Sequence, residues 1–171
     1  LISIKRVNTH GGSIRGVAKL ANSPRKVDDS VMELFNLENS LKLNNPKTFY
    51  DFASNIQTRK KELMHCLKEI KSKGKKIAAF GAPAKATTLM YEFGLDSSYI
   101  DFIVDDSPLK QGLFSPGLHI PVLPSSAVEE RKPDYLLILA WNFSHSIIKK
   151  NSSFHESNGK FIIPLPKLEI C

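Results

Sequence analysis

Residues 79–90, AFGAPAKATTLM, contain the strongest candidate in the chain for a ligand-binding loop. An apolar run ends at a glycine, small residues follow, and a helical pattern begins near a lysine, so the segment predicts a strand, a tight loop and a helix. Backbone N–H groups at a helix N-terminus attract phosphate, and lysine and threonine add a charge and a hydroxyl donor. The loop matches neither GxGxxG nor the Walker A pattern, so a tight structural turn is the alternative interpretation. The candidate ligand-binding residues here are Gly81, Ala82, Pro83, Ala84, Lys85 and Thr87.

An acidic pair ends the next predicted strand. Asp105 and Asp106 lie about 24 residues after Gly81, close to the place where a Rossmann-type unit carries a carboxylate that binds ribose hydroxyls. The alternative is that DDSP forms only an acidic turn or a helix N-cap. A phosphate loop together with a ribose acceptor indicates a nucleotide, a dinucleotide or a nucleotide-sugar as the ligand.

Three further residues are candidates for the same site. Lys110 lies in a long Gly/Pro-rich connection, and unstructured connections of that length are often functional. Trp141 and Asn142 follow a continuous apolar strand, at the edge of a parallel sheet where ligands bind. Trp141 has two open interpretations, since it could stack on a base or sugar or cap the core.

Near the N-terminus, THGGSIR lies between two predicted strands and contains His10, a weak candidate for a catalytic base. A plain hairpin turn is the alternative. The sequence shows no metal-ligand spacing and no GxSxG motif, so no metal site and no serine hydrolase are predicted. Cys66 and Cys171 form no CxxC pair and predict free thiols in a reducing cytoplasm.

The elements that would position these residues change character near residue 74. After it, short apolar strands alternate with helices, which predicts an α/β fold with a doubly wound, mostly parallel, Rossmann-like sheet. Before it, a short strand pair is followed by a weak helix and by a long helix over residues 46–73. Later strands are predicted at 75–80, 99–104, 119–124, 134–140 and 160–166, and helices at 84–93, 125–131 and 142–150. The predicted divisions are 1–22, the end of a preceding domain or a hairpin; 23–74, linker and helices; and 75–171, a Rossmann-like domain that binds a nucleotide, a dinucleotide or a nucleotide-sugar.

Composition and charge limit the possible partners. The chain has 171 residues, of which 42% are hydrophobic and 24% are charged, and a net charge of +7. No apolar run approaches the roughly 20 residues of a membrane span, so no membrane partner is predicted. The basic runs at 59–61 and 68–76 favour a solvated helix face. Nucleic acid is an unlikely partner because no aromatic residues interleave with these runs.

Five segments in this order resemble the C-terminal domain of nucleotide-sugar C-methyltransferases, which add a methyl carbon to deoxysugars with S-adenosylmethionine. The resemblance covers essentially the whole chain. The segments are THGGSIR, FGAPAKATTLM, IDFIVDDSPLKQGLFSPGLHIPV, PDYLLILAWN and GKFIIPLP.

The resemblance implies a substrate-side domain rather than a complete enzyme. It implies that S-adenosylmethionine is bound by a central methyltransferase domain absent from this chain, and zinc by an absent N-terminal domain. No cofactor is expected in this chain, and the implied partners are a nucleotide-sugar and the upstream domain or a partner polypeptide. The family usually has glycine at Ala86, a polar residue, often asparagine, at Thr87, and a basic residue at Asp106, so this sequence departs from it there. A non-catalytic Rossmann-like module that binds NAD, CoA or another nucleotide remains the alternative.

Overall fold

A computed structural model describes all residues from 1 to 171. The chain divides into two compact units, Leu1–Ile56 and Gln57–Cys171, and each is described by itself. The division falls inside the long helix α2 (Pro46–Ser72). The domain boundaries predicted at residues 22 and 74 stay predictions.

The second unit is built on a six-stranded sheet in the order β5-β4-β3-β6-β7-β8. All neighbouring strands are parallel except the last pair, β7 and β8, which is antiparallel. The mostly parallel α/β fold predicted from the sequence is confirmed, whereas the doubly wound arrangement of helices stays a prediction. The strands are β3 (Ile77–Phe80), β4 (Ile103–Val104), β5 (Val122–Leu123), β6 (Tyr135–Ile138), β7 (Lys160–Ile163) and β8 (Glu169–Ile170).

Three helices of this region end at the residue predicted from the sequence, and the long helix ends one residue earlier than predicted. Gly74, two residues beyond the end of the long helix, has a φ of +70°, a left-handed conformation that glycine adopts without strain. Gly94 closes the next helix in the same conformation, at φ +74°. The helices of this region are α2 (Pro46–Ser72), α3 (Ala84–Phe93), α4 (Ala127–Arg131), α5 (Ser144–Lys150) and α6 (Ser152–Glu156).

The core of the second unit forms around its central strands. Every residue of β3 is buried, because neighbouring strands and the covering segments exclude water from both sets of alternating side chains. Ala78 and Phe80 pack in one cluster with Leu136, Ile138 and Phe161 from the strands on one side. The apolar runs that predicted buried strands therefore form a real core.

The first unit contains a two-stranded antiparallel hairpin and the helix α1 (Ser30–Ser40). The strands are β1 (Ser3–Val7) and β2 (Ser13–Val17), and the 3-10 turn Thr9–Gly11 joins them. The start of α1 covers the outer edge of β1, where the Ile4 N–H donates to Ser30 Oγ at 3.0 Å. Ile2 is the only buried residue of this unit.

Several element boundaries predicted from the sequence were wrong. Residues 97–99 form a turn, because Asp96 accepts hydrogen bonds from Ser98 and Tyr99, so the predicted strand 99–104 shortens to Ile103–Val104. The helix α4 begins at Ala127 rather than at the predicted residue 125; Ser126 is its N-cap residue and makes no side-chain cap bond. The apolar stripe of α2 is buried only at Leu63, Leu67 and Ile70. The short elements α6 and β8 were not predicted.

Candidate functional site

The candidate site lies where three parallel strands end at one edge of the sheet. β4, β3 and β6 are neighbours, so the segments that follow them meet at this edge. The chain moves outward from β3 to β4 and β5 and then returns to the other side of β3 as β6. In sheets with such a reversal, ligands bind in the crevice between the two neighbouring strands, here β3 and β6.

Gly81 lets the chain turn sharply as it leaves β3. Its φ is +91°, and its N–H donates to the Val104 carbonyl at 2.7 Å. A Cβ built at this position would lie 2.8 Å from the Cβ of Ala140, which follows β6. The loops after β3 and β6 therefore approach each other so closely that only glycine fits.

Asp105 ties the loop after β3 to the loop after β4. Its carboxylate accepts hydrogen bonds from the Ala82 N–H at 2.7 Å, the Ser107 N–H at 2.9 Å and Lys110 Nζ at 3.1 Å. Burial raises the pKa of Asp105, but these donors together outweigh burial and hold that pKa below its ordinary value. Asp105 is buried and already accepts three hydrogen bonds, and its predicted role as a ribose acceptor stays a prediction.

The first turn of α3 follows the Gly81 loop and contains N–H groups without an internal partner. Pro83 has extended backbone before the helix, and its carbonyl accepts the Ala86 N–H at 2.8 Å. Ala84 and Lys85 follow, and their N–H groups make no hydrogen bond within the protein, as is usual in a first helical turn. Because Gly81 and Ala82 use their N–H groups internally, only these later donors remain for an anion.

Lys85 projects from this turn onto the segment that follows β6. Its Nζ lies 4.2 Å from the centroid of the Trp141 ring and 5.9 Å from that of Phe143. No carboxylate lies within 4 Å of it, so the lysine has aromatic neighbours and no ion pair. Burial lowers its pKa. A cation held this way on the β3–β6 crevice is well placed to bind an anion.

A second feature borders the same loop. A cavity of about 230 Å³ lies between α3 and residues 107–116, and Ala82, Pro83, Thr87 and Lys110 contribute to its wall. We call it the α3 pocket. Its other lining residues include Leu113, Phe114 and Ser115, which were not predicted from the sequence. The sequence signal for them was the long Gly/Pro-rich connection in which all three lie.

The remaining predicted residues occupy different places. Asn142 lies with Trp141 in the 3-10 helix Trp141–Phe143, at the candidate site. His10 lies in the first unit, in the 3-10 turn, with a left-handed φ of +53°. Its catalytic role is untested. No group of three metal-ligating side chains occurs in the chain, and none of its helices is long and apolar enough to cross a membrane.

Asp106 has different bonding partners from its neighbour Asp105. Asp106 accepts hydrogen bonds from Lys150 Nζ and Ser125 Oγ, each at 2.7 Å. The hydrogen bond from Lys150 is the largest influence on the pKa of Asp106 and lowers it. The Asp106 side chain remains about half exposed. The acidic pair thus divides into one buried residue that organises the loops and one surface residue that binds α5.

Comparison with known proteins identifies the family of this chain. Residues 8–166 match the model of the C-methyltransferase C-terminal domain. The chain is 32% identical over 167 residues to the C-methyltransferase NovU of Streptomyces niveus, and the match covers 98% of this chain. The chain spans about 40% of the length of that relative. The chain therefore belongs to the C-methyltransferase C-terminal domain family, as its sequence motifs predicted.

Proposed function

We propose that this chain is the substrate-binding domain of an S-adenosylmethionine-dependent C-methyltransferase that acts on a nucleotide-linked keto-deoxysugar. Family membership supports the reaction class. The observation that carries the substrate class is Lys85, a cation without an ion pair in the first turn of α3, where two backbone N–H groups have no partner within the protein. This combination favours a diphosphate over a neutral ligand.

Each residue of the crevice has a distinct part in this proposal. The N–H groups of Ala84 and Lys85 donate to phosphate oxygens, and the ammonium group of Lys85 balances their charge. Trp141 offers an aromatic face on which the apolar face of a sugar ring can pack. Asp105 fixes the loop that begins with Ala82 and so positions the groups that contact the ligand.

The methyl donor belongs to the rest of the protein in this proposal. S-adenosylmethionine supplies an electrophilic methyl group, and we assign its binding to the part of the relative that this chain does not match, about 60% of its length. The zinc site implied by the resemblance is assigned to that part as well. On this account the chain by itself binds substrate and does not transfer methyl.

Exposed apolar side chains in the first unit favour the presence of an upstream partner domain. This unit leaves Met32, Phe35, Phe49 and Phe52 more than half exposed. Exposed apolar side chains in such numbers are typical of a surface that another domain covers. We assign that cover to the preceding domain of the same protein, or to a partner polypeptide that replaces it.

Isothermal titration of the chain with dTDP-glucose tests the proposed substrate class, with NAD and CoA as competitors from the alternative function. We expect saturable binding that weakens as salt is added. Lys85→Met keeps an apolar stem against Trp141 and removes the charge, so affinity should fall about 10- to 100-fold. Lys149→Met, at an exposed lysine of α5, is the control and should bind normally.

Two outcomes contradict the proposal. Tighter binding of NAD or CoA than of dTDP-glucose favours the non-catalytic nucleotide module. Binding of dTDP-glucose that Lys85→Met leaves unchanged removes the crevice as the anion site.

A further inference from the structure

The α3 pocket is separate from the crevice that holds Lys85, but the two share a wall. Ala82 and Pro83 belong to the loop at the crevice and also line the pocket. Thr87 lies one turn further along α3, on the pocket side. A ligand whose phosphates contact the start of α3 could therefore extend directly into the pocket.

The far wall of the pocket is formed before any ligand binds. Backbone hydrogen bonds join Gly112 to Val122 at 2.9 Å, Val122 to Leu113 at 2.8 Å, and Ser115 to Ile120 at 2.8 Å. The buried Ser115 hydroxyl also accepts the Ile120 N–H at 3.0 Å. These bonds hold residues 107–122 in one conformation, so little conformational entropy is lost on binding.

The lining of the pocket is mostly apolar. Met90, Ile103 and Val122 are buried at its base, while Leu113 and Phe114 remain 57% and 61% exposed at its side. The side-chain donors that reach it are the hydroxyls of Thr87 and Ser115 and the Lys110 ammonium group. A hexose would leave most of its hydroxyls unpaired there, at a cost for each of about 1–3 kcal/mol. A planar ring with acceptors on its edge avoids that cost.

The size of the pocket points the same way. At about 230 Å³ it is smaller than the roughly 300–1,000 Å³ that encloses a whole drug-sized ligand. It can hold one ring system but not a dinucleotide or a complete nucleotide-sugar. The rest of a larger ligand would have to lie outside, along the shared wall.

We propose that the α3 pocket binds the nucleobase of the nucleotide whose phosphates contact the start of α3. The ring enters between α3 and residues 113–116 and covers the exposed faces of Leu113 and Phe114. The base and the sugar of the ligand then lie on opposite sides of the phosphates, with the sugar near Trp141. This inference rests on the proposed function, since it places one part of the same ligand.

A pocket-filling variant of the full chain tests the proposal against inorganic pyrophosphate, which has no base. The probes are dTDP and pyrophosphate, titrated into wild type, Thr87→Phe and the control Thr88→Phe, whose side chain is exposed and does not line the pocket. Thr87→Phe should weaken dTDP binding at least about tenfold more than it weakens pyrophosphate binding, because both probes lose the Thr87 hydroxyl and only dTDP loses the space for its base. Thr88→Phe should bind both probes as wild type does. Thermal unfolding of each variant verifies that it is folded.

Each other outcome overturns the inference in a way that separates it from the proposed function. If dTDP and pyrophosphate bind wild type equally and Lys85→Met weakens both, the anion site stands and the base pocket is wrong. If Thr87→Phe binds dTDP normally, the base lies elsewhere. If neither probe binds wild type, the base pocket and the crevice both fail.

Discussion

The two compact units differ most in what they do with apolar side chains. Every buried apolar side chain except Ile2 lies in the second unit, Gln57–Cys171. Thirteen of the nineteen large apolar side chains that are exposed lie in the first unit, which holds about a third of the chain. The helix α2 shows both behaviours along its length, exposed at Phe49 and Phe52 and buried at Leu63 and Leu67.

This difference shows which unit can support a binding site unaided. Positioning donors to within a fraction of an ångström requires a packed scaffold, and only the second unit has one. The candidate nucleotide site lies on the loops and the first turn of α3 that this scaffold fixes. The first unit has a hairpin and a helix with almost no core, and two-stranded hairpins are marginal by themselves.

The largest expected effect comes from truncating the core of the second unit. Phe161 is fully buried and packs edge-to-face on Phe154, with ring centroids 5.2 Å apart. Phe161→Ala should lower the free energy of unfolding by about 3–5 kcal/mol, measured by urea denaturation. Phe35→Ala, at a side chain 55% exposed in the first unit, should change it by less than about 0.5 kcal/mol. A comparable loss at Phe35 would mean that the first unit has a core after all.

A glycine pair separates backbone strain from close packing at the site. Gly81→Ala and Gly94→Ala both place a side chain at positive φ, which costs about 1–2 kcal/mol each. Only Gly81→Ala adds a clash with Ala140, worth a further ~1–3 kcal/mol. Thermal unfolding should therefore rank Gly81→Ala below Gly94→Ala, and equal stabilities would contradict the close approach of the two loops.

Asp105 and Asp106, which follow β4, show the same contrast between a buried and an exposed side chain. Asp105→Ala leaves the N–H groups of Ala82 and Ser107 without their acceptor and should cost about 1–3 kcal/mol. Asp106→Ala breaks an exposed ion pair with Lys150 and should cost about 0–1 kcal/mol. Chemical denaturation at pH 7 measures the free energy of unfolding of both variants. A larger loss of stability for Asp106→Ala than for Asp105→Ala would contradict the prediction.

The pH dependence of the same variant gives an independent reading. The pKa of Asp105 is lower in the folded than in the unfolded chain, so its carboxylate stabilises the fold fully above the unfolded pKa. That stabilisation is lost as the pH falls through the lower, folded value. The stability difference between wild type and Asp105→Ala should narrow as the pH falls below about 4. A stability difference that grows as the pH falls would contradict the lowered pKa of Asp105.

The smallest expected effect is local to the first unit. Ser30→Ala removes the acceptor of the Ile4 N–H, which is worth about 0.5–1.5 kcal/mol. Hydrogen exchange at the Ile4 amide should become faster, while the amides of β3 and β6 keep their protection. Faster exchange in the central sheet would mean that the two units unfold together.

The strands and helices of the second unit were predictable because local signals agreed with burial. IAAF predicted a buried strand, and Gly94 marked the end of α3 at its observed position. Where the sequence pattern was misleading or silent, hydrogen bonds to other segments determined the structure. Residues 99–104 have a strand pattern, yet Asp96 draws their first residues into a turn, and β8 exists only because β7 offers an edge.

The candidate site was predictable in its location and not in its internal bonds. Parallel strands bring Gly81, Asp105 and Trp141 to one edge wherever such a fold forms. The sequence could not show that Asp105 would bind the Ala82 N–H, because that contact depends on how closely two loops approach. The α3 pocket was missed because its walls come from segments about 25 residues apart.

The most direct test of the central claim is an amide-resolved NMR titration of the chain with dTDP-glucose. We expect chemical-shift changes at residues 81–88, 105–116 and 140–143, which lie at one edge of the second unit, and unchanged shifts in the lysine-rich segment 71–76. Changes confined to 71–76, or none at any amide at millimolar ligand, would contradict the claim that this edge binds a nucleotide-sugar.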